Sequence, residues 1–157
     1  DYQHDIFVSC AREQYDVVLE SIVKRLEEQE SFKVFITERN VQANECKMGT
    51  TLANLDKSRF FMICLSNNFC EDQWCEFETN MAMQKTLYEN AGNVIVVLLE
   101  DISIENMNKQ LWWLVRNEEY LLWDENEDTS ELFWIKLRSR LNSINSNGQN
   151  IPMSNLS

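Results

Sequence analysis

Phe60-Phe61-Met62-Ile63-Cys64-Leu65-Ser66-Asn67-Asn68-Phe69-Cys70-Glu71-Asp72-Gln73-Trp74-Cys75-Glu76-Phe77-Glu78 passes from an unbroken apolar run into a polar loop and then into a helical pattern. Six apolar residues in succession, 60–65, suit a strand buried on both faces. Residues 66–72 carry side chains that turn and cap, so a helix is expected to begin near Gln73 and run through Tyr88. Offsets of three and four place Trp74, Phe77, Glu78, Met81 and Ala82 on one stripe of that helix. A carboxylate in an apolar stripe is costly unless it is paired, hydrogen-bonded or used. Glu78 therefore poses the functional question.

The same alternation extends in both directions. Asp5 to Cys10 reads as a strand, and Tyr15, Val18, Leu19, Ile22, Val23 and Leu26 follow at helical offsets with charges opposite. Phe32 to Thr37 reads as a second strand, followed by a polar loop from Glu38 to Cys46 and a short helix from Met48 to Lys57. After the helix at Trp74 come a turn at 90–93, a strand from Val94 to Leu99 and a weakly patterned helix at 105–116. Glu119 to Trp123 is a short last strand, 124–129 a loop, and Ser130 caps a final helix whose Phe133, Trp134, Leu137, Leu141 and Ile144 face inward.

Strands that alternate with helices need crossover connections, hence a parallel sheet covered on both sides. The expected fold is α/β and flavodoxin-like, three layers with a five-stranded parallel sheet in the order 2-1-3-4-5. Residues 1–144 form the domain, and 145–157, rich in Ser and Asn, are expected to be a flexible tail.

Composition bounds the function. A chain of 157 residues supports one full core. Its net charge of −12 argues against a binder of nucleic-acid phosphates. Much of that charge lies in residues 100–131, where ten acidic side chains face only Lys109 and Arg116; this is a solvated surface or a face for a basic partner. No apolar run approaches the roughly 18 residues of a membrane span. Asp1 opens a polar start unlike a signal peptide, and the absence of Met there suggests a segment of something longer. The five cysteines contain no C-x-x-C pair, and His4 is the only histidine, so no metal site is expected. Cys10 and Cys64 read as core thiols and Cys46 as a small buried residue, which fits a reducing compartment.

Several activities of this architecture lack their residues. A dinucleotide or P-loop site needs glycines after the first strand, where Ser9-Cys10-Ala11-Arg12-Glu13 has none. A phosphoryl receiver needs acidic residues at the ends of the first and third strands, where Ser9-Cys10 and Leu65-Ser66 stand. With His4 near the start, no nucleophile–histidine–acid set is available.

What is present resembles a Toll/interleukin-1 receptor (TIR) domain over about residues 2–143. His4-Asp5-Ile6-Phe7-Val8-Ser9-Cys10 is similar to the family's first motif, aromatic-Asp-Ala-Phe-Val-Ser-Tyr. Glu38-Arg39-Asn40-Val41-Gln42-Ala43-Asn44 stands where the second, Arg-Asp-x-x-Pro-Gly, falls after the second strand. Lys57-Ser58-Arg59, Leu65-Ser66-x-x-Phe69 and Trp74-Cys75-x-x-Glu78 follow in register, and Phe133-Trp134 is similar to the third motif. The Trp-Cys-x-x-Glu and Phe-Trp pieces look most like the Toll-like receptor branch. Departures occur: His4 and Cys10 replace aromatic residues, Asn40 replaces Asp, and Ala43-Asn44 replace Pro-Gly. Losing Pro removes a fixed φ, whereas Asn tolerates a left-handed turn better than most replacements for Gly.

The resemblance implies an intracellular signalling module that associates with itself and with adaptor TIR domains. Arg39, Asn40, Val41, Gln42, Ala43 and Asn44 would be the partner-binding surface. No cofactor would be required, no nucleic acid bound, and any membrane attachment would come from a span outside this segment, placing the domain on the cytosolic face. Two alternatives stand beside it. One is a TIR-type NAD hydrolase, with Glu78 as the catalytic carboxylate stabilising an oxocarbenium-like state and Trp74 stacking on the substrate base. The other is a cytosolic adaptor or decoy, suggested by Ala43 and Asn44. Phe133-Trp134 reads as core, and Trp112-Trp113 as either a half-buried ridge or an interface anchor.

Overall fold

The computed structural model describes residues 2–89, 93–117, 119–126 and 130–142, with the backbone alone for 87–89. The expected turn at 90–93, apart from Asn93, lies outside these residues, as do the tail from 145, residues 127–129 of the loop at 124–129, Glu118 and Ile144. Two compact units are distinguished, residues 1–120 and 121–157.

The apolar runs become strands: β1 His4–Cys10, β2 Val34–Ile36, β3 Ser58–Leu65, β4 Val94–Leu98 and β5 Leu121–Leu122. The sheet order is β2-β1-β3-β4-β5. In the first unit β1 pairs parallel with β2 (Ile6 with Val34) and with β3 (Ile6 with Phe60), and β3 pairs parallel with β4 (Met62 with Ile95). Ile6, Phe7 and Val8 are all buried, as are Met62, Ile63 and Cys64, so both faces are covered.

Crossover handedness decides which helix covers which face. The connection from β1 to β2 runs one way across the sheet, and those from β2 to β3 and from β3 to β4 run the other. Right-handed crossovers therefore put residues 12–28 on one face and the helices Lys47–Asp56 and Gln73–Glu89 on the opposite one. The core agrees: Phe7, Phe35, Phe61 and Ile63 share a cluster with Leu55, Cys75, Ala82 and with Leu111 and Leu114 of helix Lys109–Asn117. The first helical stretch buries Val18, Ile22, Val23 and Leu26 elsewhere.

Five expectations are corrected. The second strand is shorter than 32–37, because residues Thr37–Asn40 form a helical turn instead of opening the loop; Asn40 Oδ1 accepts the Ile36 amide at 2.9 Å and folds the chain back. The loop after β3 likewise contains a helical turn, Asn67–Glu71, with Ser66 Oγ accepting the Phe69 amide at 3.1 Å. On helix Gln73–Glu89 the buried line is Cys75, Glu78, Thr79 and Ala82, one position round from the predicted stripe. Trp74, Phe77 and Met81 lie at its half-buried edge, since Thr79 Oγ1 donates to the Cys75 carbonyl at 2.7 Å and can be buried without an outside partner. Cys46, expected inside, is exposed where it precedes helix Lys47–Asp56. Cys64 is buried as expected, while Cys10 is half-buried with its thiol pushed up to about 12 by desolvation and then by Glu78, Glu38 and Asp72.

The second unit holds β5 and a helix over residues 130–142. Phe133, Trp134, Leu137 and Leu141 are buried, and Trp123 meets Phe133 edge-on at 5.0 Å between centroids. Phe133-Trp134 is core.

Candidate functional site

The carboxyl ends of parallel strands gather loops, and here they gather around Glu78. Continuing the pairing of β1 with β2 past Val8 and Ile36 brings Ser9 beside Thr37, both on the face of Phe7 and Phe35. Helix Gln73–Glu89 crosses that face, started by Asp72, whose Oδ1 accepts the Cys75 amide at 2.9 Å. The outcome is a polar knot. Ser9 Oγ donates to Glu78 Oε1 at 2.7 Å and Thr37 Oγ1 donates to Glu78 Oε2 at 2.6 Å. Glu78 is 3% exposed, Ser9 1% and Thr37 5%.

Burial pushes the Glu78 carboxyl up, against the opposing pull of the Thr37 and Ser9 hydroxyls, the Trp74 indole and the Lys47 charge. The Trp74 N–H acts on the carboxylate from nearby, yet closes no hydrogen bond of ordinary geometry and is buried without a partner. Lys47 Nζ sits 4.1 Å above the Trp74 ring and 3.8 Å from Glu38 Oε1.

Outside the knot lies an open cleft of about 260 Å³, lined by Thr37, Glu38, Val41, Gln42, Ala43, Glu45 and Lys47. Glu78 does not line it. Thr37 and Lys47 connect the two, the first through its hydroxyl and the second through its charge.

The loop residues divide into two sets. Arg39 spans from Glu27 to the Val34 carbonyl, and Asn40 holds the Ile36 amide; both stay exposed while bonding back to the domain. Val41 packs partly against the core. Gln42, Ala43 and Asn44 are exposed, with the Gln42 amide donating to Glu45 Oε1 at 2.9 Å and Thr50 Oγ1 donating to Glu45 Oε2 at 3.2 Å. Ser9, Thr37, Lys47, Glu27 and Glu45 were not singled out from sequence. Of these, the Ser9–Thr37 pair carried a usable signal: two hydroxyls one step beyond adjacent parallel strands, on the face where a helix brings a carboxylate.

Trp112 and Trp113 are 40% and 49% exposed, with the Arg116 guanidinium 4.4 Å above the Trp112 ring. Among the described residues no group of three or more His, Cys, Asp and Glu could hold a metal ion, and no helix is long and apolar enough to cross a membrane.

A family model for the TIR domain matches residues 6–141. The chain belongs to the TIR domain family. This TIR domain is 29% identical over 143 residues to Toll-like receptor 6 of Homo sapiens, covering 89% of the chain and 18% of the receptor. It is 28% identical over 147 residues to Toll-like receptor 2 of Mus musculus, covering 91% and 19%. The chain thus spans less than a fifth of the curated relatives it matches. Among solved structures, the TIR domain of the Toll-related receptor TRR-2 from Hydra magnipapillata superposes with a TM-score of 0.71 at 17% identity, over 89% of this chain and 99% of that one. A TIR-STING receptor from C. gigas gives 0.65 at 16% identity, over 84% and 38%. At such identities these structures speak to the fold, which is that of TIR domains.

Proposed function

We propose that this TIR domain is a signalling module of the Toll-like receptor kind, working by association with other TIR domains. The observation that carries the reading is the loop after β2: Gln42, Ala43 and Asn44 stand exposed on a base tied down by Arg39, Asn40 and Glu45. An exposed tip on an ordered base loses little freedom when a partner closes on it. Similarity to Toll-like receptors supports the same direction.

The NAD-hydrolysing alternative has less support. It needs Glu78 open to a substrate, whereas both carboxylate oxygens are engaged and the side chain stays outside the cleft. Burial between Ser9 and Thr37 accounts for this carboxylate without a reaction.

Sedimentation of the purified domain over a rising concentration range, alone and mixed with other TIR domains, tests the proposal. Concentration-dependent association that weakens in Gln42→Ala and Asn44→Ala is the expected result. Absence of association with any TIR domain, together with nicotinamide release from NAD that Glu78→Gln abolishes, would replace this reading with the enzymatic one.

A further inference from the structure

We infer that Glu27 is a positioning residue: through Arg39 it sets the base of the 41–46 loop, and so the pose in which Gln42, Ala43 and Asn44 meet a partner. The inference rests on the association reading above and assigns control of that surface to a residue on a different element.

The geometry is a strut. Arg39 Nη1 and Nη2 donate to Glu27 Oε1 and Oε2, each at 2.8 Å, the two-pronged pairing a guanidinium makes with a carboxylate. Nη2 also donates to the Val34 carbonyl at 3.0 Å, and Nε makes a long contact of 3.4 Å with Asn40 Oδ1, the atom that accepts the Ile36 amide. One guanidinium therefore joins the helical stretch after β1, strand β2 and the turn that begins the loop. Most of its donors are committed to these bonds, so Arg39 holds the turn in place while one face of the guanidinium stays in solvent.

The loop needs such a tether. It contains no proline, the only one in the chain being Pro152, so no ring fixes a φ angle within it. Order comes from side chains instead: Glu27 through Arg39 at the start of the loop, and Glu45, bonded to the Gln42 amide and the Thr50 hydroxyl, at its end. The Glu27–Arg39 pair is about one-third exposed on each side, so its effect is on loop position rather than on global stability.

The test compares Glu27→Ala, Arg39→Ala and the reversal Glu27→Arg/Arg39→Glu in the whole chain, by amide hydrogen exchange of residues 38–46 and by self-association. Each alanine variant is expected to speed loop exchange about two- to fivefold while strand amides at 60–64 stay protected. Self-association should weaken in step. The reversal should recover most of both, falling short by the lost Val34 contact. A direct partner contact by Arg39 predicts the opposite, since the reversal removes Arg from position 39. Should Glu27→Ala also expose the strands, Glu27→Gln, which keeps the size, decides in its place.

Unchanged loop exchange in the Glu27 variant, or no recovery in the reversal, overturns the inference. If Gln42→Ala weakens association and Glu27→Ala changes nothing, positioning fails and the association reading stands. If Glu27→Ala frees the loop and no tip variant affects association, the association reading fails instead.

Discussion

Two carboxylates tie the loop after β2 to the rest of this TIR domain, and they do so in opposite environments. Glu78 is buried against two hydroxyls, while Glu27 meets Arg39 where about a third of each side chain remains in solvent. The buried one has no alternative partner, so its loss strands Ser9 and Thr37 in the core. The exposed one is replaced by water when removed. Burial, rather than charge or hydrogen-bond length, separates a fold determinant from a position determinant here.

The comparison can be broken at its strongest point. Glu78→Ala leaves a cavity and two unpaired hydroxyls and should cost about 3 kcal/mol in denaturant unfolding. A loss below about 1 kcal/mol would mean that the knot does not hold the fold together. Next comes the pH response. Because burial holds the Glu78 carboxyl above its ordinary 4.5 in the folded state, the folded protein binds this proton more tightly than the unfolded chain. The contribution is present below the unfolded value and is lost as pH rises through the folded one. Wild type should therefore lose stability relative to Glu78→Gln as pH rises from about 4.5; a difference that grows in wild type's favour would reverse the assignment.

Arg39→Ala should cost only about 0.5 kcal/mol, since its pair is screened by solvent, but should loosen the loop. Calorimetry alongside hydrogen exchange separates these effects, and a loss comparable to that of Glu78→Ala would erase the distinction. Smallest in stability is Gln42→Ala, within about 0.5 kcal/mol of wild type. It should nonetheless weaken association, as sedimentation would show.

Much of this was legible in the residues. β1, β3 and β4 announce themselves as unbroken apolar runs, because a strand covered on both faces has no reason to alternate. Alternation with helices implies a parallel sheet, and the flavodoxin-like order 2-1-3-4-5, the default for that class, is the one observed. The register of helix Gln73–Glu89 was read one position off because periodicity counts apolar residues, whereas the buried line includes Glu78 and Thr79, each satisfied locally or across the sheet. The turn at Thr37–Asn40 depends on one Asn side chain reaching back to Ile36, a contact that propensity does not encode. Within the loop, the residue types that suggest an exposed binding surface include Arg39, whose partner lies 12 positions earlier on another element. Cys46 was expected to be buried because free cysteines usually are; its place at the start of a helix puts it outside.

The sheet order has a kinetic consequence. β1 is made first, yet its neighbours β2 and β3 are both later in the chain, with Ile6 waiting for Val34 on one side and Phe60 on the other. Until β3 emerges from the ribosome, one edge of β1, with its buried Ile6, Phe7 and Val8, is unpaired. Non-local parallel pairing of this kind slows folding and prolongs exposure of sticky edges. Substitutions that delay the helical stretch over residues 12–28 should lengthen the interval before β1 is paired and lower the yield of folded protein before they lower its melting temperature.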